Sequence, residues 1–164
     1  MVLELNSEHL QTIQVHAEKT YPNECCGLFL GNRVPEAKEL TKVLVEVRPT
    51  DNTWSSQSTE FMPVNSRLTA TRRYWIAPET LLANQRYARH HDLEIIGIYH
   101  SHPDHPAVPS QTDRDWAWPE YSYVIVSVQQ GASQDLRSWM LDSKGDFQSE
   151  KIVILNFAKP EVIC

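Results

Sequence analysis

Leu93-Glu94-Ile95-Ile96-Gly97-Ile98-Tyr99-His100-Ser101-His102 is an apolar run that ends on two histidines and is closed by Pro103. Its character predicts a strand over Leu93–His102. In a strand, residues i and i+2 leave the backbone on the same face. The imidazoles of His100 and His102 therefore emerge side by side, close enough to share an ion, while Ser101 points the other way. The carboxyl end of a strand is also where α/β sheets commonly place ligands.

The segments around this strand predict a mixed α/β domain. Upstream, Ser7 is a candidate N-cap for a helix with Glu8 in its first turn and Leu10, Ile13 and Ala17 at helical spacing. Tyr21-Pro22-Asn23 stops that helix. Glu24 to Leu30, ending at Gly31, reads as a buried strand, and Glu39 to Arg48 alternates well enough for a second. Residues 49–73 are rich in Ser, Thr and Asn and read as a long surface loop around a short strand near Phe61; such loops are often functional. Pro78 opens a helix that runs to about His91. Downstream, Pro103, Pro106 and Pro109 punctuate a loop, and Ser110 to Trp118 reads as a short helix. Tyr121–Val128, Leu136–Leu141 and Phe147–Leu155 read as three more strands. Helices covering a central sheet are expected.

Length and composition suit one domain over residues 1–164, with 41% hydrophobic residues and a net charge of -6. Acids outnumber bases by 21 to 15, which argues against a nucleic-acid binder. No apolar run is long enough to cross a bilayer, and the N-terminus lacks the pattern of a signal peptide. Three cysteines, two of them adjacent, do not make a disulfide framework, so the expected compartment is a reducing cytoplasm.

Ser110 and Asp113 admit two readings. Ser-x-x-Asp at a helix start resembles a capping box, with the acid at the positive end of the helix dipole. The Pro103–Pro109 loop can also fold this helix start back over the strand end, so that Asp113 joins the histidines. Two histidines and one carboxylate leave a fourth tetrahedral position for water, the pattern of a catalytic zinc site, although other divalent ions accept the same donors. A hydrolase then needs a base that does not bind the metal. Glu24 is the candidate, because a carboxylate opening an apolar strand is out of place without a partner or a task; a solvent-facing strand edge is the plainer alternative. The Ser110 hydroxyl suits stabilisation of a developing oxyanion.

His100-Ser101-His102-Pro103, seven residues to Ser110, then Asp113, resembles the JAMM motif of MPN-domain metalloproteases. Glu24-Cys25-Cys26-Gly27-Leu28-Phe29-Leu30-Gly31 resembles the strand carrying that family's upstream glutamate. The resemblance implies a cytidine-deaminase-like α/β/α sandwich with a central mixed sheet, the JAB/MPN fold. It implies zinc held by His100, His102 and Asp113, with Glu24 as general acid/base and Ser110 as oxyanion stabiliser. Small prokaryotic members of this kind act on ubiquitin-like sulfur-carrier proteins of the ThiS/MoaD type, releasing cysteine or another extension from the Gly-Gly tail. The resemblance therefore implies such a carrier as partner, with residues 49–73 as the candidate recognition loop, and no nucleic acid or membrane. Isopeptide cleavage of protein conjugates uses the same site and is the main alternative. A non-catalytic MPN scaffold and a nucleoside deaminase are weaker ones; the Pro-Cys-x-x-Cys part of the deaminase signature is absent.

Other residues read more plainly. Cys25 and Cys26 suit one packed and one less buried thiol. His105 suits a solvent-facing loop histidine, although it stands near enough in sequence to reach the site. Trp116 and Trp118 are expected to pack against the sheet.

Overall fold

The computed structural model describes residues 1–35, 40–54 and 70–155. Along the chain these form β1 (Val2–Asn6), α1 (Ser7–Thr20), β2 (Cys26–Pro35), β3 (Leu40–Thr50), α2 (Pro78–His90), β4 (Glu94–Pro103), α3 (Gln111–Trp116), β5 (Ser122–Gln129), β6 (Ala132–Leu141) and β7 (Phe147–Leu155). The expected strand near Phe61 lies outside the described residues, as does most of the loop proposed for recognition.

The strands lie in the order β1-β3-β2-β4-β5-β6-β7, and β1 also pairs with β7, so the sheet rolls up and closes. Its ladders are mixed: β1 runs parallel to β3 and β7, β4 runs parallel to β5, and the remaining pairs are antiparallel. The mixed sheet carries helices on both of its faces, as the expected JAB/MPN fold requires. On one face, Ile13 and Ala17 of α1 pack with Leu3, Leu5, Phe29, Tyr99, Val124, Val126 and Val128. On the other, Ala88 of α2 packs with Cys26, Leu28, Leu30, Ile76 and Ile95.

β1 has no counterpart among the strands read from sequence. Its leucines at positions 3 and 5 face the α1 core, and its backbone is paired on both sides. Because β1 runs straight into α1, the helix cap falls on Asn6 rather than Ser7. The Asn6 backbone is extended, and its side-chain oxygen accepts the His9 N–H at 2.9 Å. β2 begins at Cys26, two residues later than expected, and continues to Pro35 because β3 supplies a partner out to Leu40.

A bulge in β4 decides which way the histidines point. Phe29 pairs with Gly97 and Leu30 with Ile95, leaving Ile96 as an extra residue. An extra residue resets the alternation of faces. Ile96 and Tyr99 thus both join the α1 core, and His100 and His102 are turned to the α2 face. Gly27 is needed here, since a Cβ there would meet the Tyr99 ring and the Arg48 carbonyl.

Lys42 and Glu150 form a buried ion pair. Lys42 Nζ lies 3.3 Å from Glu150 Oε1 and also donates to Ser122 Oγ at 3.0 Å, while Ser138 Oγ donates to Glu150 Oε2 at 2.7 Å. Burial lowers the Lys42 pKa and Glu150 opposes that shift. Removing one member leaves the other charged and buried, which typically costs about 3–5 kcal/mol, whereas an apolar replacement of both is often tolerated. Lys42→Met is therefore expected to lower unfolding stability in a urea titration by about that amount, and adding Glu150→Leu to recover most of it.

Candidate metal centre

The end of β4 and the start of α3 meet through the intervening loop. That loop is pinned along the sheet: Asp104 N–H donates to the Val128 carbonyl at 2.7 Å, Ser127 Oγ donates to the His105 carbonyl at 2.7 Å, and Trp139 Nε1 donates to the Ala107 carbonyl at 3.0 Å. These bonds turn the chain back so that α3 begins over the histidines.

Asp113 fulfils both readings of its motif. Its N–H donates to Ser110 Oγ at 3.2 Å, and its Oδ2 accepts the Ser110 N–H at 2.6 Å, a complete capping box. The same carboxylate places Oδ1 at 3.2 Å from His100 Nε2 and Oδ2 at 3.6 Å from His102 Nε2. The cap orients the carboxylate, and the carboxylate faces the imidazoles.

Three observations show that this donor set fits a metal ion. The His100 and His102 Nε2 atoms lie 3.1 Å apart, and the three donor groups fall within 4.8 Å of one another. For zinc–nitrogen bonds of about 2.0–2.1 Å, neighbouring ligands on a tetrahedron stand about 3.3 Å apart, close to the spacings here. Finally, His102 Nδ1 lies 2.9 Å from the Pro106 carbonyl, which only accepts. The ring hydrogen therefore sits on Nδ1 and leaves the Nε2 lone pair facing the cluster, as in metal-bound histidines. His100 is fully buried, its ring stacked on Tyr74 at 4.6 Å between centroids.

Electrostatics follow from this crowding. Burial alone would raise the Asp113 pKa, but His100, His102 and the Ser110 side chain hold it well below the usual carboxylate range. Burial lowers His100 despite Asp113. Burial also opposes charge on His102, yet Asp113 outweighs it and raises that pKa.

Glu24 lies just before β2 and lines the same cleft as His102, Ser110 and Asp113. Only 6% of it is exposed, so the solvent-facing strand-edge reading fails. Burial, against the pull of His102, raises its pKa to about 8. In the metal-free protein the native state then binds a proton that the unfolded state releases near pH 4.5. Native stability is therefore greatest below about pH 4.5 for this group and falls as pH rises toward about 8. Metal-free protein is expected to lose on the order of 5 kcal/mol of unfolding stability over that window through this residue, and Glu24→Gln to remove that slope in urea titrations at several pH values.

The cleft has a volume of about 860 Å³. Trp116 and Trp118 line it and are exposed, rather than packing against the sheet, because α3 ends at Trp116 and stands away from the strands at the cleft mouth. Leu82 and Val108 add further exposed apolar surface there. His105 is exposed, as expected of a loop histidine, and also lines the cleft. Cys25 and Cys26 are both buried, correcting the expectation of one more accessible thiol, and burial pushes each up to about 12.

Two supporting residues escaped the sequence reading. Asn52 donates to the carbonyls of Glu24 and Arg73, each at 2.9 Å, and accepts from the N–H groups of Trp54 and Trp75. It ties the segment carrying Glu24 to the far wall of the cleft. Tyr74 backs His100. Both sit in or beside a polar stretch with no periodicity, where nothing local marks them.

The fold and the donor set fit a metal-binding domain of the JAB/MPN class. The sequence profile described as prokaryotic homologs of the JAB domain matches residues 6–142, and the chain belongs to that family. It is 28% identical over 141 residues to the CysO-cysteine peptidase of Mycobacterium tuberculosis, covering 85% of this chain and 83% of that protein. It is 30% identical over 93 residues to the desampylase of Pyrococcus furiosus, a match covering 56% of this chain and 63% of that protein. A solution structure of a Salinibacter ruber protein superposes with a TM-score of 0.65 at 32% identity, over 100% of this chain and 95% of that one. A protein from Desulfitobacterium hafniense shares the fold with a TM-score of 0.74 at 23% identity, over 98% and 97% of the two chains. Among the described residues, no helix is long and apolar enough to cross a membrane.

Proposed function

We propose that this protein is a zinc peptidase that hydrolyses the amide bond following the C-terminal Gly-Gly of a ubiquitin-like sulfur-carrier protein, releasing cysteine or a short extension. The observation that carries this reading is Glu24, a buried carboxylate outside the donor set that shares the cleft with His102, Ser110 and Asp113. His100, His102 and Asp113 are assigned as the zinc ligands. When bound, zinc supplies Lewis-acid polarisation and a water nucleophile at neutral pH. The Glu24 carboxylate takes the proton of the attacking water and passes it to the leaving amine, a role suited to a pKa lifted toward neutrality. Ser110 lines the cleft beside the donor set, and its hydroxyl is assigned to donate to the oxygen on which charge develops.

A protein substrate is supported by the exposed Leu82, Val108, Trp116 and Trp118 at the cleft mouth, an aromatic and aliphatic patch of the kind that anchors partners. The match to the CysO-cysteine peptidase spans most of both chains and favours a carrier's tail over a protein conjugate. The free, buried thiols of Cys25 and Cys26 suit a cytoplasmic setting. The test uses zinc-loaded protein with ThiS- or MoaD-like carriers extended by one to three residues beyond Gly-Gly, and with the same carriers joined to a lysine side chain. Mass spectrometry is expected to show extension release as the faster reaction. Cleavage of the lysine conjugate alone overturns the substrate assignment, and cleavage of neither overturns the reading.

A further inference from the structure

Arg72 and His105 meet at the cleft that holds Glu24, with Arg72 Nη2 2.6 Å from His105 Nε2. A guanidinium only donates, so His105 Nε2 accepts and its ring hydrogen lies on Nδ1. The guanidinium has five N–H groups, and this bond uses one. Arg73 lines the same cleft, with its Nε buried and without a hydrogen-bond partner among the described residues. Among the described lining residues the carboxylates are Glu24 and Asp113, both already assigned to the reaction. An excess of outward N–H donors and positive charge therefore faces the cleft in a chain whose net charge is -6.

The position of this charge relative to the chemistry gives it meaning. Both guanidinium groups act on the Glu24 carboxylate, lowering its pKa against the effect of burial. Glu24, proposed to protonate the leaving nitrogen, lines one cleft with Arg72, Arg73 and His105, so these guanidinium groups share the space a leaving group must occupy. In a leaving amino acid the α-carboxylate is two bonds from that nitrogen. In a leaving lysine side chain no carboxylate lies nearby. Hydrolysis breaks the glycine C–N bond; water gives its hydroxyl to the glycine carbonyl carbon and a proton to the amine, and the departing amino acid carries its carboxylate away unchanged.

We propose that Arg72, positioned by His105, binds the free α-carboxylate of a single amino acid leaving from the carrier's Gly-Gly tail, and so selects one-residue C-terminal extensions over isopeptide-linked lysine. This rests on the peptidase reading above and adds the group that decides its specificity. A planar guanidinium and a carboxylate form charge-assisted, often bidentate, hydrogen bonds, the strongest kind available to such a site.

The test compares a ubiquitin-like carrier ending in Gly-Gly-Cys as the free acid with the same carrier ending in the cysteine amide. Full-length, zinc-loaded wild type is expected to prefer the acid by roughly 10- to 100-fold in kcat/KM. In Arg72→Gln the preference should collapse to near one, chiefly through KM on the acid, while Arg72→Lys keeps part of it. Bound zinc and melting temperature show whether each variant is folded, and His105→Ala, which should weaken the preference less, provides a second handle. Equal wild-type rates on acid and amide overturn this proposal and leave the peptidase reading standing. An equal loss on both substrates in Arg72→Gln also overturns it, by placing Arg72 against the carrier instead. Cleavage of neither form by the wild type overturns both proposals.

Discussion

Glu24→Gln is expected to lower kcat by about 100- to 10,000-fold while leaving bound zinc at the wild-type level. The amide keeps the size and hydrogen-bonding shape of the carboxylate but cannot carry a proton between water and the leaving amine. Glu24 is outside the cluster of His100, His102 and Asp113, so its replacement removes no donor from that cluster. Its carbonyl remains held by Asn52 and its N–H by the Ala70 carbonyl, so the backbone stays placed. Metal analysis and steady-state kinetics on the same preparation separate the two effects. Wild-type kcat in the variant removes Glu24 as the base, and loss of metal would instead make it a ligand.

Replacing a proposed ligand should do the reverse. His102→Ala deletes one Nε2 from a set whose other members stand 3.1 and 3.6 Å from it. Changes to the groups that merely orient metal ligands cost about 10- to 100-fold in affinity, so loss of a ligand should cost more. Activity should fall with zinc occupancy. Zinc held at 1,000 times its dissociation constant stabilises the native state by about 4 kcal/mol. For a domain of this size that corresponds to roughly 10 °C in melting temperature. A chelator should therefore lower the wild-type melting temperature by about that amount and leave His102→Ala unchanged. Full zinc occupancy in His102→Ala would remove the ligand assignment.

How much of this was legible beforehand differs from residue to residue. The helix opened by Pro78 and the strand Phe147–Leu155 matched closely, because a fixed-φ residue and turn-bounded apolar runs are local signals. β1 was missed because five residues running into a helix carry little periodicity, and because its stability comes from two partners far along the chain. Trp116 and Trp118 were misplaced for a related reason. An aromatic pair is equally compatible with a core and with the rim of a cleft, and only the end of α3 before Pro119 settles which. Cys25 and Cys26 alternate along the chain yet are both buried, since each face of the sheet is covered by a helix.

The sequence by itself determined the spacing of His100 and His102, their place at the end of an apolar strand, and the cap that Ser110 and Asp113 make at a helix start. These depend on neighbours within a few residues, where backbone geometry is nearly fixed. It did not determine that the capping carboxylate also faces two imidazoles, that Glu24 is buried, or that Arg72 and His105 meet across the cleft. Those depend on the β4 bulge, which sets the facing of the histidines, and on the loop pinned to β5, which folds α3 back. Both arise from pairings between segments distant in the chain, whose energies no local stretch of sequence contains.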